Sequence, residues 1–187
     1  MNIKEIIETV NKIQNLIENM LADNIGDEIQ KTIDKCKSGN DKKNMHAVAN
    51  KVDLKGFKTV GFYMVFNTDN NKNNMCQLKI QYKNKEYYCV YRGQSYHMHD
   101  RLISHLFYQP NGPYPNCMKV EVNGKKYNIN LEEKALYEKN VKVVNANYPS
   151  WEWLVIKISL QKTKQATREM FEDAFDKKFG RPIYSFR

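Results

Sequence analysis

No apolar run in this 187-residue chain approaches the ~20 residues that a membrane-spanning helix needs. The opening stretch MNIKEIIETV carries acidic residues inside its apolar pattern, which argues against a signal or transit peptide. The four cysteines, Cys36, Cys76, Cys89 and Cys117, are far apart and form no C-x-x-C. Zinc-knuckle and redox readings therefore lose support, and thiols kept in a reducing compartment are expected. The expected location is cytoplasmic, with no membrane partner. Internal repeats and long low-complexity tracts are also missing, so repeat architectures are excluded. The length suits one domain with its own core.

Acidic excess is lacking too, and the net charge is +9. Residues 1–50 hold seven Lys/Arg against eight Asp/Glu, whereas residues 51–187 hold 23 against 13. A basic globular part behind a near-neutral segment suits a polyanionic partner, because phosphate neutralisation drives such binding. Ordinary solubility charge gives the same count, so charge alone favours nucleic acid only modestly.

What is present begins with helical periodicity. Ile3, Val10 and Ile17 recur every seven residues, as do Ile6, Ile13 and Met20, which is a heptad stripe. Ile7, Leu16 and Leu21 broaden it toward a core-facing stripe. A second, more polar helix is expected with Ile25, Ile29, Ile33 and Cys36 on one side. The loop-like KSGNDKKN (37–44) would end this helical hairpin. Residues 1–50 thus read as a helical extension, for dimer contact, DNA contact or packing on the chain's own core.

From residue 57 the texture changes to strands. FKTVGFYMVF is aromatic and β-branched and runs into the polar NTDNNKNN. CQLKIQY and EYYCVYR flank KNK as an antiparallel hairpin. A helix over 96–107 stops before the Pro110–Pro115 loop. MKVEV and KKYNINL flank Asn123-Gly124, a strong hairpin signal. LEEKALYEK reads as a short helix, WEWLVIKISL as a strand, and TKQATREMFEDAFDKKF as a helix closed by Gly180 and Pro182. The expected class is α+β: a small antiparallel or mixed sheet flanked by helices, with an N-terminal helical hairpin and a β-hairpin insertion.

Chemistry-bearing residues gather in two places. Tyr63 lies on the first strand and Tyr91-Arg92-Gly93 ends the hairpin strand, so pairing would bring the two tyrosines onto one surface. Gly93 would permit a tight exit into the helix, whose Arg101 and His105, at i and i+4, share one face. The last helix carries Glu169, Glu172, Asp173 and Asp176. Taken singly, each has a plain structural reading: sheet aromatics, a solvated helix face, a surface acid. The H-x-H of His97 and His99 does not place both rings on one side of a helix.

Taken jointly, GFY, then YRGQS with an arginine eight residues after the glycine and a histidine four later, resembles the GIY-YIG nuclease domain. The late helix with E-D-A-F and G-R-P-x-Y-S completes that resemblance, which covers roughly residues 57–107 and 151–187. It implies a nuclease domain over 51–187 with insertions at 67–86 and 108–145. It implies that Tyr63 orients or deprotonates the attacking water, although a free phenol titrates near ~10. Tyr91 would position the same water or hold Tyr63. Arg101 would stabilise charge on the scissile phosphate, and His105 would orient Tyr63 or relay its proton. Glu172, with Glu169 as second choice, would hold one Mg²⁺ or Mn²⁺ among waters and phosphate oxygens.

Departures from the family pattern are Phe62 and Arg92 at the aliphatic motif centres, Ser185 in place of a frequent asparagine, and a long gap of 27 residues between Tyr63 and Tyr91. Arg92 at the rim of a DNA face could contact phosphate; in a core it would be costly. Arg92, Gln94, Ser95 and Lys79 are the candidate DNA contacts. The implied activity is metal-dependent cleavage of double-stranded DNA, most like a compact type II restriction endonuclease. Such an enzyme would act as a homodimer and could have a companion DNA methyltransferase. A repair or mobile-element nuclease, a non-cleaving nucleic-acid-binding module, and a protein-interaction domain built on the N-terminal helices are the alternatives.

Overall fold

A computed structural model describes residues 2–38, 43–112, 117–143 and 148–185. The chain is α+β, with two antiparallel sheets and helices on both sides of the larger one. The larger sheet has the order β1 (Met45–Ala47), β9 (Trp153–Ser159), β2 (Gly61–Asn67), β4 (Lys85–Ser95), β3 (Lys79–Tyr82). Its neighbours are antiparallel throughout. The smaller sheet runs β5 (Lys119–Val122), β6 (Lys125–Asn130), β7 (Ala135–Glu138), β8 (Val141–Val143). Parts of the KSGNDKKN loop (39–42) and of the Pro110–Pro115 loop (113–116) lie outside the described residues.

The central strands explain the sequence texture. Every residue of β2 is buried, because both faces of the larger sheet are covered. That is why FKTVGFYMVF reads as a continuous apolar run instead of alternating. On one face Phe62, Met64, Phe66, Leu154 and Ile156 pack under Phe175 of α3 (Gln165–Phe179) and Ile25, Ile29 and Ile33 of α1 (Ile3–Lys37). On the other, Tyr63, Val65, Tyr91 and Val155 meet Leu102 and Leu106 of α2 (Met98–Leu106), Leu54 and Phe57 of a 3₁₀ helix (Lys51–Phe57), and Val120 and Ile129 of the smaller sheet. Each such side chain contributes about 1.5–3 kcal/mol when fully buried.

Two expectations need correction. The N-terminal segment is a single helix of 35 residues, not a hairpin. The apolar side rotates after Leu21 because only the second half, from Ala22 onward, lies against the body. Gly26 sits inside the helix beside Lys178 and Phe179, where an added Cβ would make ordinary contact. A mid-helix glycine costs roughly 0.5–1 kcal/mol relative to alanine, and alanine would fit at this position. Because β1 pairs with β9, the packed half of α1 and residues 45–47 belong to the same body as residue 51 onward.

The second correction concerns LEEKALYEK. Its first half is a turn, and Ala135–Glu138 form β7, so the expected short helix is absent. Positive φ at Lys134 (48°) and Lys139 (54°) breaks helical geometry at both ends. Leu136 then enters the main core while Ala135 and Tyr137 pack on Tyr108 and Cys117. Sheet pairing overrides the helix propensity of this stretch. The 108–145 insertion is therefore a four-stranded sheet in its described part, larger than the hairpin expected.

Candidate active site

The register of the larger sheet places the tyrosines. Tyr63 lies opposite Gly93 on β4, and Val65 lies opposite Tyr91. Tyr63 and Tyr91 are thus diagonal neighbours on one face, within reach of aromatic side chains. A β-bulge between Val65 and Phe66 shifts the pairing there. Through it, Cys89 faces α1 and α3 while Tyr91 faces α2. The two tyrosine rings lie nearly parallel, with centroids 6.1 Å apart and an interplanar angle of 21°. Their hydroxyl groups lie close enough for each to act on the other's titration.

Gly93 has a different role from the one expected. It lies within β4, not at an exit into the helix. Its importance is spatial: a Cβ there would fall 2.6 Å from the Tyr63 hydroxyl oxygen and 3.1 Å from a Tyr91 ring carbon. Glycine leaves the room in which the two phenols meet.

α2 brings His105 and Arg101 to the same place, as the i, i+4 spacing requires. The His105 ring lies 4.6 Å from Tyr91 and 6.4 Å from Tyr63, centroid to centroid. It is fully buried, and burial, reinforced by the Arg101 charge, pushes its pKa down to about 3. The ring is therefore neutral at physiological pH. The Met118 backbone N–H donates to Nδ1 at 2.9 Å, which leaves the proton on Nε2. His105 consequently presents a donor, and Nε2 has no acceptor among the described residues. This arrangement suits orienting a tyrosine oxygen; it does not suit taking a proton from one.

Burial raises the Tyr63 hydroxyl well above its ordinary value, with the nearby Tyr91 adding to it and Arg101 opposing. Burial likewise raises Tyr91, opposed first by Arg101. Both phenols are protonated at neutral pH. Arg101 is half-buried, and no carboxylate pairs with its guanidinium among the described residues. Its charge acts on both tyrosines and on His105.

Glu172 reaches the site from α3. Its side chain is 13% exposed, and its charge bears on both tyrosines. Its Oε1 lies 3.2 Å from Arg92 Nη1. Glu169, one turn earlier, accepts from Gln165 at 2.8 Å instead and has no part in the tyrosine environment. The structure thus brings together Tyr63, Tyr91, Arg101, His105 and Glu172.

Arg92 lies buried and not at the rim of an open face. It is 2% exposed and clasps α3 to β4: Nε and Nη2 donate to Asp176 at 3.0 and 2.7 Å, while Nη1 meets Glu172. Its backbone N–H donates to the Ser185 hydroxyl at 3.0 Å, and Tyr184 N–H donates to the Val90 carbonyl. The tail segment therefore lines the edge of β4, and Ser185 supplies a bond there. Gln94 is turned the same way, accepting from Arg168 Nε at 3.0 Å. Ser95 accepts from the His97 N–H at 2.9 Å, and Lys79 pairs with Glu86 at 3.0 Å. None of these four stands beside the tyrosines as an open phosphate contact.

Sequence reasoning named Asp176 only among the acids of the last helix, and passed over Arg168 and the Met118 N–H. Arg168, Glu172 and Asp176 follow each other at four-residue steps, so one face of α3 meets β4. That spacing was the available signal for the first two. Nothing in the sequence announces a backbone donor at residue 118.

Among the described residues no group of three or more His, Cys, Asp or Glu could hold a metal. A single carboxylate completed by water and phosphate oxygens is still a donor set that magnesium accepts. Asp176 takes the Nε–Nη2 fork of Arg92 while Glu172 meets Nη1 end-on, and the carboxylate chemistry of Glu172 fits one hard cation. No helix among the described residues is long and apolar enough to cross a membrane. Comparison of the chain with protein families, curated proteins and solved structures gave no match in any of the three.

Proposed function

We propose that the chain is a metal-dependent endonuclease that hydrolyses phosphodiester bonds in double-stranded DNA, of the type II restriction kind. The observation that carries the reading is convergence: two stacked tyrosines, a buried neutral histidine, an arginine without a carboxylate partner among the described residues, and a glutamate meet from four separate elements. Plain packing explains any one of them but does not call for the set.

In this reading Tyr63 holds the attacking water through its hydroxyl. Tyr91 stacks beside Tyr63 and limits where that hydroxyl can lie. His105 packs its neutral ring on Tyr91 and keeps that ring in place. Arg101 meets the charge that builds on phosphate oxygens, because its charge is permanent and its fork fits them. Glu172 would hold Mg²⁺ or Mn²⁺, which when bound supplies positive charge at the scissile phosphate. The surplus of ten positive charges beyond residue 50 suits a phosphate backbone.

The test is cleavage of duplex DNA by purified protein with Mg²⁺, alongside Arg101→Ala and Glu172→Ala. The wild type is expected to cut and both variants to be inactive. Undiminished cleavage by both variants removes the proposed site. One observation favours a second reading, a non-cleaving nucleic-acid-binding module: Glu172 is already engaged by Arg92. Salt-sensitive DNA binding with no cleavage under any divalent cation would select it.

A further inference from the structure

The first half of α1 is an arm that meets the body at its end, where Lys177 Nζ donates to the Asn19 side chain. Residues 2–17 are exposed throughout. Within the arm Ile3, Ile6, Val10, Ile13, Ile17 and Met20 stay 38–78% exposed, and Ile7 and Leu16 widen the same stripe. This is not the face that α1 buries. Ile25, Ile29 and Ile33 lie roughly a third of a turn around the helix from it, at roughly 100° per residue. A contiguous apolar face of this extent on a soluble domain marks an interaction site.

We propose that the stripe is a self-association seam, packed against the same stripe of a second copy of this chain. Area is the first argument. Eight large side chains about half exposed offer on the order of 800 Å² per chain, so about 1,600 Å² for a pair, the size of a standard stable interface. Spacing is the second, because apolar residues alternating at three and four are what a helix–helix seam requires.

Charge is the third argument, and it separates the possible occupants. Between residues 2 and 21 two lysines stand against three glutamates. An arm meant for an anionic membrane or for DNA would carry basic residues beside the stripe. A near-neutral arm meets its own copy without repulsion. The helix start is fixed by a capping box, with Glu5 N–H donating to the Asn2 side chain and Asn2 N–H to the Glu5 carboxylate. Most helical stability comes from packing an apolar face, and a partner stripe supplies the burial that the exposed arm lacks. The proposal stands apart from the nuclease reading.

Light scattering of the full chain at about 10 μM, within the range expected for an interface of this size, tests it. The wild type is expected to show the mass of two chains. Ile6→Glu combined with Ile13→Glu is expected to show one, with the dissociation constant raised at least about 100-fold. Neither side chain touches the body, so the double variant keeps its fold, as circular dichroism and thermal melting would verify. A monomeric wild type overturns the proposal, and so does a double variant that remains dimeric. A monomeric wild type that binds anionic vesicles through the stripe would assign the arm to lipid instead.

Discussion

A Cβ on Gly93 would lie 2.6 Å from the Tyr63 hydroxyl oxygen and 2.7 Å from the ring carbon that bears it. Gly93 is therefore the floor on which the Tyr63 phenol rests. Gly93→Ala should push that phenol off its position, at a cost of about 1–3 kcal/mol for overpacking. Cleavage should fall by about 10²-fold, since a displacement near 1 Å at a reacting group has that effect. In a Tyr63→Leu background the stability cost of Gly93→Ala should largely vanish. Urea denaturation of the four proteins measures this coupling, and equal costs in both backgrounds would show that the glycine serves something other than Tyr63.

Arg92 and Asp176 join β4 to α3 through two parallel bonds, and the same guanidinium holds Glu172. Removing one partner of a buried pair typically costs about 3–5 kcal/mol because the other charge is left behind. Arg92→Ala should lose stability within that range, since two carboxylates lose its guanidinium while Asp176 keeps Arg181 at 3.0 Å. Asp176→Asn should lose less, because the guanidinium keeps Glu172. If Glu172 also acts in cleavage, Asp176→Asn should lower turnover more than substrate affinity. Equal stability losses in the two variants would count against Arg92 as the shared clasp.

The tyrosines, Arg101 and His105 were legible in the sequence because local spacing fixes them: β-pairing on one surface, and an i, i+4 helix step. α1 was misread at Leu21 because an apolar stripe reports what a helix face meets: before Ala22 the stripe is exposed, with Lys177 donating to Asn19 beside it, and after it the apolar side lies on the body. The strand at Ala135–Glu138 was hidden because its pairing with β6 is tertiary, while its residues favour a helix locally. Arg92 looked like a surface cation, and only α3 packing reveals its carboxylates. The tautomer of His105 depends on a backbone N–H at Met118, which no side-chain pattern encodes.

His105 supports a prediction about acid. In the folded chain its pKa is about 3, against an ordinary 6.5. Between those values the unfolded chain binds the proton and the folded chain does not, so stability rises with pH there. The contribution is complete above about pH 6.5 and is lost as pH falls toward 3. Chemical denaturation from pH 7 downward should show this loss, and His105→Gln should flatten it. An unchanged slope in the variant would assign the acid sensitivity to other groups.

The same environment predicts how cleavage depends on alkali. Burial holds the Tyr63 hydroxyl well above its ordinary range, and His105 does not titrate near neutrality. Cleavage should therefore climb beyond about pH 8 without an inflection near 6.5. Tyr63→Phe should be slow and should lose the climb. A bell-shaped profile with a limb near 6.5 in the wild type would point to a histidine base and away from this site.

Arg168 makes a contrasting case to Arg92. It is fully buried, donates to Gln94 and to the Thr163 carbonyl, and lies 3.7 Å from the centre of the Tyr96 ring. No carboxylate pairs with it among the described residues. Replacing Arg92 with methionine takes a cation from two acidic partners, of which Asp176 keeps Arg181, whereas replacing Arg168 takes donors from neutral oxygens. An unpaired neutral acceptor costs about 1–3 kcal/mol, and removing a buried cation without a counter-ion returns some of its desolvation penalty. Arg168→Met should therefore destabilise the chain by less than Arg92→Met, despite equal burial. Paired denaturation curves decide it, and a larger loss for Arg168→Met would mean that the guanidinium's stack on Tyr96 and its bonds outweigh the charge.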